Sequence, residues 1–341
     1  MFKFDNIKNF TRTLIIAEVS ANHCGSKKKF LNHIIQAKEN GADLVKIQTY
    51  EPQDMTVNKN FKIKKGLWKG KTLWNLYENA CTPFKWHFDA FKIARKNKIT
   101  LFSTPFSERA LKFLKQFKPQ LYKIASFELT DHCLIDNVAK NYKPIILSTG
   151  LSDIKEVKSA IKVIRKYHNK IILLYCVSGY PTPLENIDFK RIEKLKKSTG
   201  VKLVGFSDHT LGITASIDAI NKKVPFIERH FTINKDSSSP DVKFSISCEE
   251  LKILKNYALN RNKLEIKTKS KTAERINKIF RRSIYVVKNI KKGEKFTSSN
   301  IKCFRPYIGL GAEQYFKVLG KKAKSNIKKN KVLNKNLVKA L

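Results

Sequence analysis

The stretch PFIERHF (225–231) combines the two features that decide the fold, an apolar run of strand length and polar side chains toward its end. Seven earlier runs share this pattern, and helix-like polar sequence lies between most of them: LIIAEVS (14–20), DLVKIQT (43–49), ITLFSTP (99–105), LYKIAS (121–126), PIILSTG (144–150), IILLYCVS (171–178) and KLVGFSDH (202–209). Apolar runs that alternate with helices are typical of a buried parallel sheet. Eight such units predict a closed (β/α)8 TIM barrel in the α/β class.

The ends of these runs carry most of the residues capable of chemistry. In a (β/α)8 barrel the carboxyl ends of the strands meet around the active site. We therefore expect one cluster of polar side chains there: Glu18, Asn22, Lys46, Gln48, Thr104, Lys123, Ser126, Ser148, Ser178, Ser207, His209, Glu228 and His230.

The chain of 341 residues is long enough for a barrel and one smaller domain. We predict a barrel domain over 1–260, a charged linker over 261–281 and a small module over 282–341 with short β-like runs broken by glycine. About 60 residues make a thin core, so the module should lean on the barrel or on another subunit. An insertion over 51–86, rich in aromatic residues such as Trp68, predicts a lid or a substrate wall.

The formal net charge of +41 is extreme, but 58 of the 69 basic residues are lysines spread over the whole chain. This dispersion predicts no nucleic-acid partner, although the positive field should attract anionic substrates. No apolar run reaches the roughly 18 residues of a membrane span, and the N-terminal sequence does not resemble a secretory leader. The six scattered cysteines, without a C-x-x-C pair, predict reduced thiols, and Cys24 and Cys176 are placed to border the site. We expect a cytoplasmic enzyme.

His209 ends the seventh predicted strand and His230 ends the eighth. The tips of neighbouring strands lie about 5 Å apart. Two imidazoles at this distance suit a divalent ion of the Mn, Fe, Co or Zn type, with open positions for water and substrate. The alternative is that one of the two histidines is a buried hydrogen-bonded core residue.

Lys46 and Lys123 lie inside apolar runs, where an ammonium group is costly unless it is paired. They predict anchors for phosphate or carboxylate, with Schiff-base formation as the rival interpretation. Glu18 and Glu228 also lie inside strands. They either pair with these lysines or contact substrate hydroxyls.

The ordered motifs resemble those of the sialic acid synthase family, which condenses phosphoenolpyruvate with acylated amino sugars: EVSANHCGS (18–26), VKIQTY (45–50), YKIASFELTD (122–131), LSTGLS (147–152), CVSGYPTP (176–183), GFSDHTLGI (205–213) and IERHFT (227–232). Within that family, TLWNLYENACTPFKWH (72–87), SGYPTP (178–183) and RPYIGLGA (305–312) are most similar to the branch that makes pseudaminic acid. A branch that makes N-acetylneuraminic or legionaminic acid, with the same chemistry on another sugar, is the alternative.

The resemblance implies roles for residues in the predicted cluster. It implies that phosphoenolpyruvate is held by Lys46, Thr104, Lys123, Ser126, Ser148, Ser178 and Ser207. It implies Mn²⁺, with Mg²⁺ or Co²⁺ as alternatives, on His209 and His230, and catalytic roles for these histidines, Glu18 and Glu228. Glu18, Gln48, Tyr180 and Asp241 would face the sugar or water.

The segment from about 282 resembles the family's antifreeze-like (SAF) domain, a small β-clip fold. This implies a domain-swapped homodimer in which Arg305 reaches the partner's site. The chain departs from the family at Cys24, at SSSPDVKFS (237–245) and at Ser178, where relatives carry other residues.

Overall fold

The computed structural model describes residue 4 and residues 12–235, 239–264 and 277–340, and the chain forms two compact units, Met1–Leu264 and Glu265–Leu341. Eight parallel strands close the first unit into a barrel in chain order, with β8 paired to β1. They are β1 (Leu14–Glu18), β2 (Leu44–Thr49), β3 (Thr100–Pro105), β4 (Tyr122–Ile124), β5 (Ile145–Ser148), β6 (Ile171–Tyr175), β7 (Val204–Asp208) and β8 (Phe226–His230). The predicted (β/α)8 barrel is confirmed.

Helices surround the strands and cover them with their apolar faces. Their bounds are α1 (Lys27–Glu39), α2 (Pro52–Met55), α3 (Leu73–Ala80), α4 (Phe84–Lys96), α5 (Glu108–Lys115), α6 (His132–Ala139), α7 (Ile154–Arg165), α8 (Lys190–Thr199), α9 (Thr214–Asn221) and α10 (Cys248–Leu264). Several begin at a side-chain cap; Asp153 and Glu156, for example, form a reciprocal capping box at the start of α7. The inserted helices α2 and α3 lie between β2 and α4.

The barrel interior changes from apolar to polar along the strands. Side chains of a strand alternate between its two faces, so every second residue points into the barrel. At the amino ends these inward residues form a buried apolar layer that includes Ile16, Leu44 and Phe226. Two residues further along β1, β2 and β8 stand Glu18, Lys46 and Glu228. The barrel is therefore a packed apolar core at the amino ends of the strands, and the side chains capable of chemistry lie at the carboxyl ends.

The second unit is a small β module. Strands β9 (Ser283–Val286) and β10 (Ile301–Phe304) pair antiparallel, and isolated bridges such as Tyr285 with Val332 extend the pairing. The module also contains a short helix, Tyr315–Val318, and Ile284, Phe296 and Leu333 belong to a separate apolar core.

The predicted linker over 261–281 is only partly described, because residues 265–276 lie outside the described ranges. Helix α10 continues to Leu264, four residues beyond the predicted end of the barrel domain at 260, and Asn277–Phe280 forms a 3-10 turn. Within the described ranges, no helix is both long enough and apolar enough to cross a membrane.

Candidate active site

Two lysines and two glutamates form a buried chain of ion pairs at the carboxyl end of the barrel. Lys123 Nζ lies 2.8 and 2.9 Å from the two carboxylate oxygens of Glu228. Lys46 Nζ lies 2.8 Å from Glu18 Oε2, a charge contact without hydrogen-bond alignment, and 3.5 Å from Glu228 Oε1. The strand register explains this arrangement, since Glu18 is the direct neighbour of Lys46 on one side and of His230 on the other. The glutamates are thus the partners that the buried lysines require.

Burial and ion pairing act in opposite directions on these groups. Burial raises the pKa of Glu18. Burial also opposes ionisation of Glu228, but Lys123 and Lys46 outweigh it and lower the pKa of Glu228 to about 2. Burial lowers the pKa of Lys123, and the two hydrogen bonds to Glu228 oppose this shift by favouring the charged ammonium, which binds anions, over the neutral amine that a Schiff base needs.

His209 and His230 lie side by side, with ring centroids 5.7 Å apart. His209 Nδ1 lies 3.0 Å from the carbonyl oxygen of Val177, which only accepts, so Nδ1 carries the proton and Nε2 keeps its lone pair. His230 Nδ1 is buried without a hydrogen-bond partner among the described residues, 3.8 Å from Asp241 Oδ2. Burial lowers the pKa of His209 to about 4 and that of His230 well below its usual value.

The histidine pair fits a divalent cation as two neutral imidazole ligands. A carbonyl that fixes the tautomer of one ligand, and a buried unpartnered nitrogen on the other, are features of a metal site. Within the described ranges, no three His, Cys, Asp or Glu side chains are clustered to enclose a metal by themselves. Two protein ligands would leave positions open for substrate or water, which is the catalytic type of site.

Three small polar side chains surround Gly150 and form a pocket that we call the cradle: the hydroxyls of Ser126 and Ser178 and the thiol of Cys176. Ser126 Oγ lies 3.1 Å from Cys176 Sγ and accepts a hydrogen bond of 3.2 Å from the Gly150 amide. Ser178 Oγ, like Thr104 Oγ1 at the end of β3, is buried and has no hydrogen-bond partner in the described structure. Buried hydroxyls without partners are costly, so this pair indicates a place for an anionic ligand.

Gly150 is a residue of the cradle that sequence analysis did not single out. A Cβ on Gly150 would stand 2.2 Å from Ser178 Oγ, so a larger residue would fill the cradle. Cys176 borders the site as predicted, and burial raises the pKa of its thiol, which disfavours the nucleophilic thiolate.

Aromatic side chains close one side of the mouth. The Tyr180 ring lies 4.5 Å from His209 and 5.2 Å from Phe244, which in turn lies 4.8 Å from His230. Trp68, from the insertion after β2, lies 5.8 Å from Tyr180 and donates from Nε1 to the carbonyl oxygen of Pro240 at 3.4 Å. The insertion therefore contributes a wall to the mouth, as predicted. Phe244 was not anticipated from the sequence.

Glu128 is a candidate site residue that sequence analysis missed. It ends the 3-10 turn Ser126–Glu128, and its Oε2 is buried without a hydrogen-bond partner in the described structure. Burial raises its pKa to about 7, Asp131 adds to the shift, and Lys123 and Lys46 oppose it. Its position two residues after Ser126 in YKIASFELTD was the available signal, but a 3-10 turn does not show in hydrophobic periodicity.

We expect Glu128→Gln to lower kcat by about 10² to 10⁴, the usual contribution of a proton-transferring group, and to raise stability at alkaline pH. Between the ordinary pKa of 4.5 and the folded value of about 7, the unfolded chain releases this proton while the folded chain keeps it. Stability is therefore lost as the pH rises through this window, by about 3 kcal/mol in total. Activity assays and thermal melts at pH 5 and pH 8 check both effects. A Tm gain equal at the two pH values would contradict the assigned pKa.

The structure brings fifteen of the sixteen predicted site residues to the carboxyl end of the barrel. Gln48 Nε2 donates to Glu18 Oε1 at 3.1 Å, and Ser207 Oγ donates to Glu228 Oε1 at 3.2 Å. Ser148 is buried at the end of β5. Asp241 lies in the loop after β8 and accepts from the Ala21 amide at 3.3 Å. The sixteenth, Arg305, is exposed in the second unit.

Comparison with known proteins agrees with this geometry. A sequence model of the NeuB family matches residues 33–269, and one of the SAF domain matches residues 281–339. The pseudaminic acid synthase of Campylobacter jejuni strain 81-176 is 40% identical over 94% of this chain and 95% of its own length. The N,N'-diacetyllegionaminic acid synthase of Campylobacter jejuni strain NCTC 11168 is 34% identical over 94% and 99%.

A solved structure of N-acetylneuraminic acid synthetase from Leptospira borgpetersenii superimposes with a TM-score of 0.68 at 26% identity. It covers 78% of this chain, which in turn covers 90% of that structure. The family match spans more than half of the chain, and the family resemblance of the motifs is confirmed. The chain belongs to the NeuB family and is a phosphoenolpyruvate-dependent nonulosonate synthase with a SAF domain.

Proposed function

We propose that this enzyme is a pseudaminic acid synthase, which condenses phosphoenolpyruvate with 2,4-diacetamido-2,4,6-trideoxy-L-altrose and releases phosphate. The observation that carries the sugar assignment is the 40% identity to a pseudaminic acid synthase, against 34% to a diacetyllegionaminic acid synthase at similar coverage. The motifs over 72–87 and 305–312 point to the same branch. An N-acetylneuraminate or legionaminate synthase with the same chemistry is the alternative.

The phosphoenolpyruvate anchors in this proposal are the two lysines and the hydroxyls around them. Lys46 and Lys123 would exchange part of their contact with Glu18 and Glu228 for the phosphate and carboxylate of the substrate. Thr104 and Ser178 supply the buried hydroxyls without partners, which an anion would satisfy. Ser126, Ser148 and Ser207 complete the donor set. Fixed donors of this kind stabilise charge that develops during the reaction without having to reorient.

NeuB-family enzymes are typically metal-dependent, and we assign His209 and His230 as the protein ligands of a divalent cation, Mn²⁺ with Mg²⁺ or Co²⁺ as alternatives. When bound, the cation would supply Lewis-acid polarisation of the sugar aldehyde. The neutral imidazoles and the lone pair on His209 Nε2, which the Nδ1–H tautomer leaves on that nitrogen, support this assignment.

In the proposed reaction, C3 of phosphoenolpyruvate bonds to the aldehyde carbon, water adds at C2, and the C2–O bond to phosphate breaks. One proton of the water ends on the new hydroxyl and the other leaves with phosphate, so atoms and charge balance. Glu128, with a pKa of about 7, is suited to relay the first of these protons: it gives its own proton to the aldehyde oxygen, which becomes the new hydroxyl, and takes one from the water that adds at C2. Glu18, Gln48, Tyr180 and Asp241 would orient the sugar, which supplies much of the rate by positioning.

We also propose a domain-swapped homodimer in the cytoplasm, where phosphoenolpyruvate is made. Exposed apolar side chains stand on four consecutive loops at the barrel mouth: Phe127, Leu151, Leu184 and Leu211. Arg305 is itself flanked by the exposed Phe304 and Ile308. These patches support a dimer in which the second unit of the partner covers the mouth and presents Arg305 to the sugar. Light scattering should give twice the chain mass of 39.3 kDa, and a single-chain mass would contradict the dimer.

The sugar assignment is tested by assaying phosphate release with phosphoenolpyruvate and each of two acceptors. We expect kcat/KM for 2,4-diacetamido-2,4,6-trideoxy-L-altrose to exceed that for N-acetylmannosamine by at least about 10²-fold. The wrong sugar would leave polar groups of the binding site without hydrogen-bond partners, which costs several kcal/mol. Omitting the acceptor is the control for simple hydrolysis. Equal or reversed kcat/KM values would favour the alternative branch.

A further inference from the structure

A second buried ion pair lies directly behind the two histidines. Asp208 and Arg229 are register partners across β7 and β8, each one residue before a histidine of the pair. Because strand side chains alternate, Asp208 and Arg229 point away from the barrel interior, while Ser207 and Glu228 point into it. Arg229 Nη1 lies 2.7 Å from Asp208 Oδ2, and the two side chains are 1% and 0% exposed.

This pair ties together the segments that carry the histidines. Arg229 Nη2 donates to the carbonyl oxygens of Thr210 and Gly212, both at 2.9 Å, in the loop after His209. It also lies 3.5 Å from the carbonyl oxygen of Phe244, whose ring packs on His230. One guanidinium group therefore spans the β7 loop, β8 and the turn Val242–Phe244.

Asp208 anchors the same loop from its other side. Its Oδ1 accepts from the Thr210 amide at 2.9 Å, and its Oδ2 accepts from Ser216 Oγ in α9 at 2.5 Å. The backbone that follows His209 is thus held at both faces by one carboxylate and one guanidinium. Neither group is aimed into the mouth, so neither is a substrate anchor.

We propose that Asp208 and Arg229 are positioning residues that set the spacing and orientation of His209 and His230 for metal binding. Stability alone is a weak reason for such a pair, because replacing a buried ion pair with apolar residues is often neutral or stabilising. Groups that orient metal ligands from behind typically contribute 10- to 100-fold to metal affinity. The inference rests on the proposed function, since it takes the two histidines as the metal ligands.

The test compares Asp208→Asn with wild type, using Mn²⁺ titration of the metal-free full-length protein followed by electron paramagnetic resonance. We expect Asp208→Asn to weaken Mn²⁺ binding by about 10- to 100-fold and to regain activity in excess Mn²⁺. The matched control is Asp43→Asn. Asp43 forms a partly buried pair with Arg12 at 2.7 Å near the amino ends of the strands, where the Ile15 amide also donates to it. This control should lose stability but keep its Mn²⁺ affinity within about twofold.

His209→Ala separates the possible failures. If His209→Ala loses Mn²⁺ binding while Asp208→Asn and Arg229→Lys both bind like wild type, the positioning role is wrong and the metal assignment stands. If His209→Ala itself binds Mn²⁺ like wild type, the metal assignment and the positioning role are both wrong. Arg229→Lys keeps the charge but not the guanidinium fork, so it serves as the second variant if Asp208→Asn does not fold.

Discussion

Replacing His209 with alanine is expected to abolish metal-dependent synthesis while the barrel stays folded. A metal that polarises a carbonyl contributes several kcal/mol to the transition state, so we expect kcat to fall by at least about 10³-fold. The structural cost is smaller, because the substitution removes one hydrogen bond to the Val177 carbonyl, worth about 1–3 kcal/mol if that oxygen is left unpaired. Steady-state assays across a Mn²⁺ titration, together with circular dichroism, measure the two effects.

His168→Ala is the control for this experiment. His168 follows α7, near the amino end of β6 and therefore at the opposite end of the barrel from the mouth, where its Nδ1 accepts from the Lys170 amide at 3.2 Å. We expect this variant to keep its activity and its response to Mn²⁺. Full activity of His209→Ala, with an unchanged Mn²⁺ requirement, would remove His209 from the metal site.

Replacing Gly150 with alanine is expected to raise the KM for phosphoenolpyruvate by about 10²-fold or more. The new methyl group would lie 2.2 Å from Ser178 Oγ and 2.9 Å from both Ser126 Oγ and Cys176 Sγ, all well inside contact distance. Those side chains must rotate away, and the hydroxyl donors of the cradle move with them. Because the φ angle of Gly150 is not in the left-handed region, the backbone accepts alanine and the effect comes from crowding alone. Overpacking should cost about 1–3 kcal/mol of stability.

Gly179→Ala is the matched control, three residues after Cys176 on the segment that follows β6. Its Cβ would have the Thr182 hydroxyl as nearest neighbour at 3.5 Å, an ordinary contact. We expect its KM for phosphoenolpyruvate to stay within about threefold of wild type. If Gly150→Ala binds phosphoenolpyruvate as well as Gly179→Ala does, the cradle is not the phosphate site.

The sequence predicted the barrel and most of its site because eight apolar runs alternate with helix-like segments and carry polar residues toward their ends. Apolar residues at the start of each strand and polar ones at its end place Lys46, Lys123 and Glu228 in one mouth without further information. The sequence offered pairing of the glutamates with the lysines as one interpretation, but which lysine pairs with which glutamate was not predictable, because that depends on the strand register. Only the register makes Glu18 the neighbour of both Lys46 and His230.

Sequence analysis missed residues that 3-10 turns bring to the site, and a glycine that matters because neighbouring side chains lie close to it. Glu128 is brought near the lysines by a 3-10 turn, and Phe244 by a similar turn over Val242–Phe244. The importance of Gly150 becomes visible only when its distance to Ser178 is measured. We propose that Arg305 reaches the sugar from a second subunit, so the sequence pattern of one barrel carries no information on this contact.

The most direct test of the central claim, a condensation in which water adds at C2 of phosphoenolpyruvate, follows the oxygen that bridges C2 and phosphorus. Phosphoenolpyruvate labelled with ¹⁸O at this bridge is converted with the acetamido sugar, and the released phosphate is analysed by mass spectrometry. The proposed reaction predicts that the phosphate carries the full label, because the C2–O bond breaks. Phosphate without label would show that the P–O bond breaks instead and would contradict the mechanism.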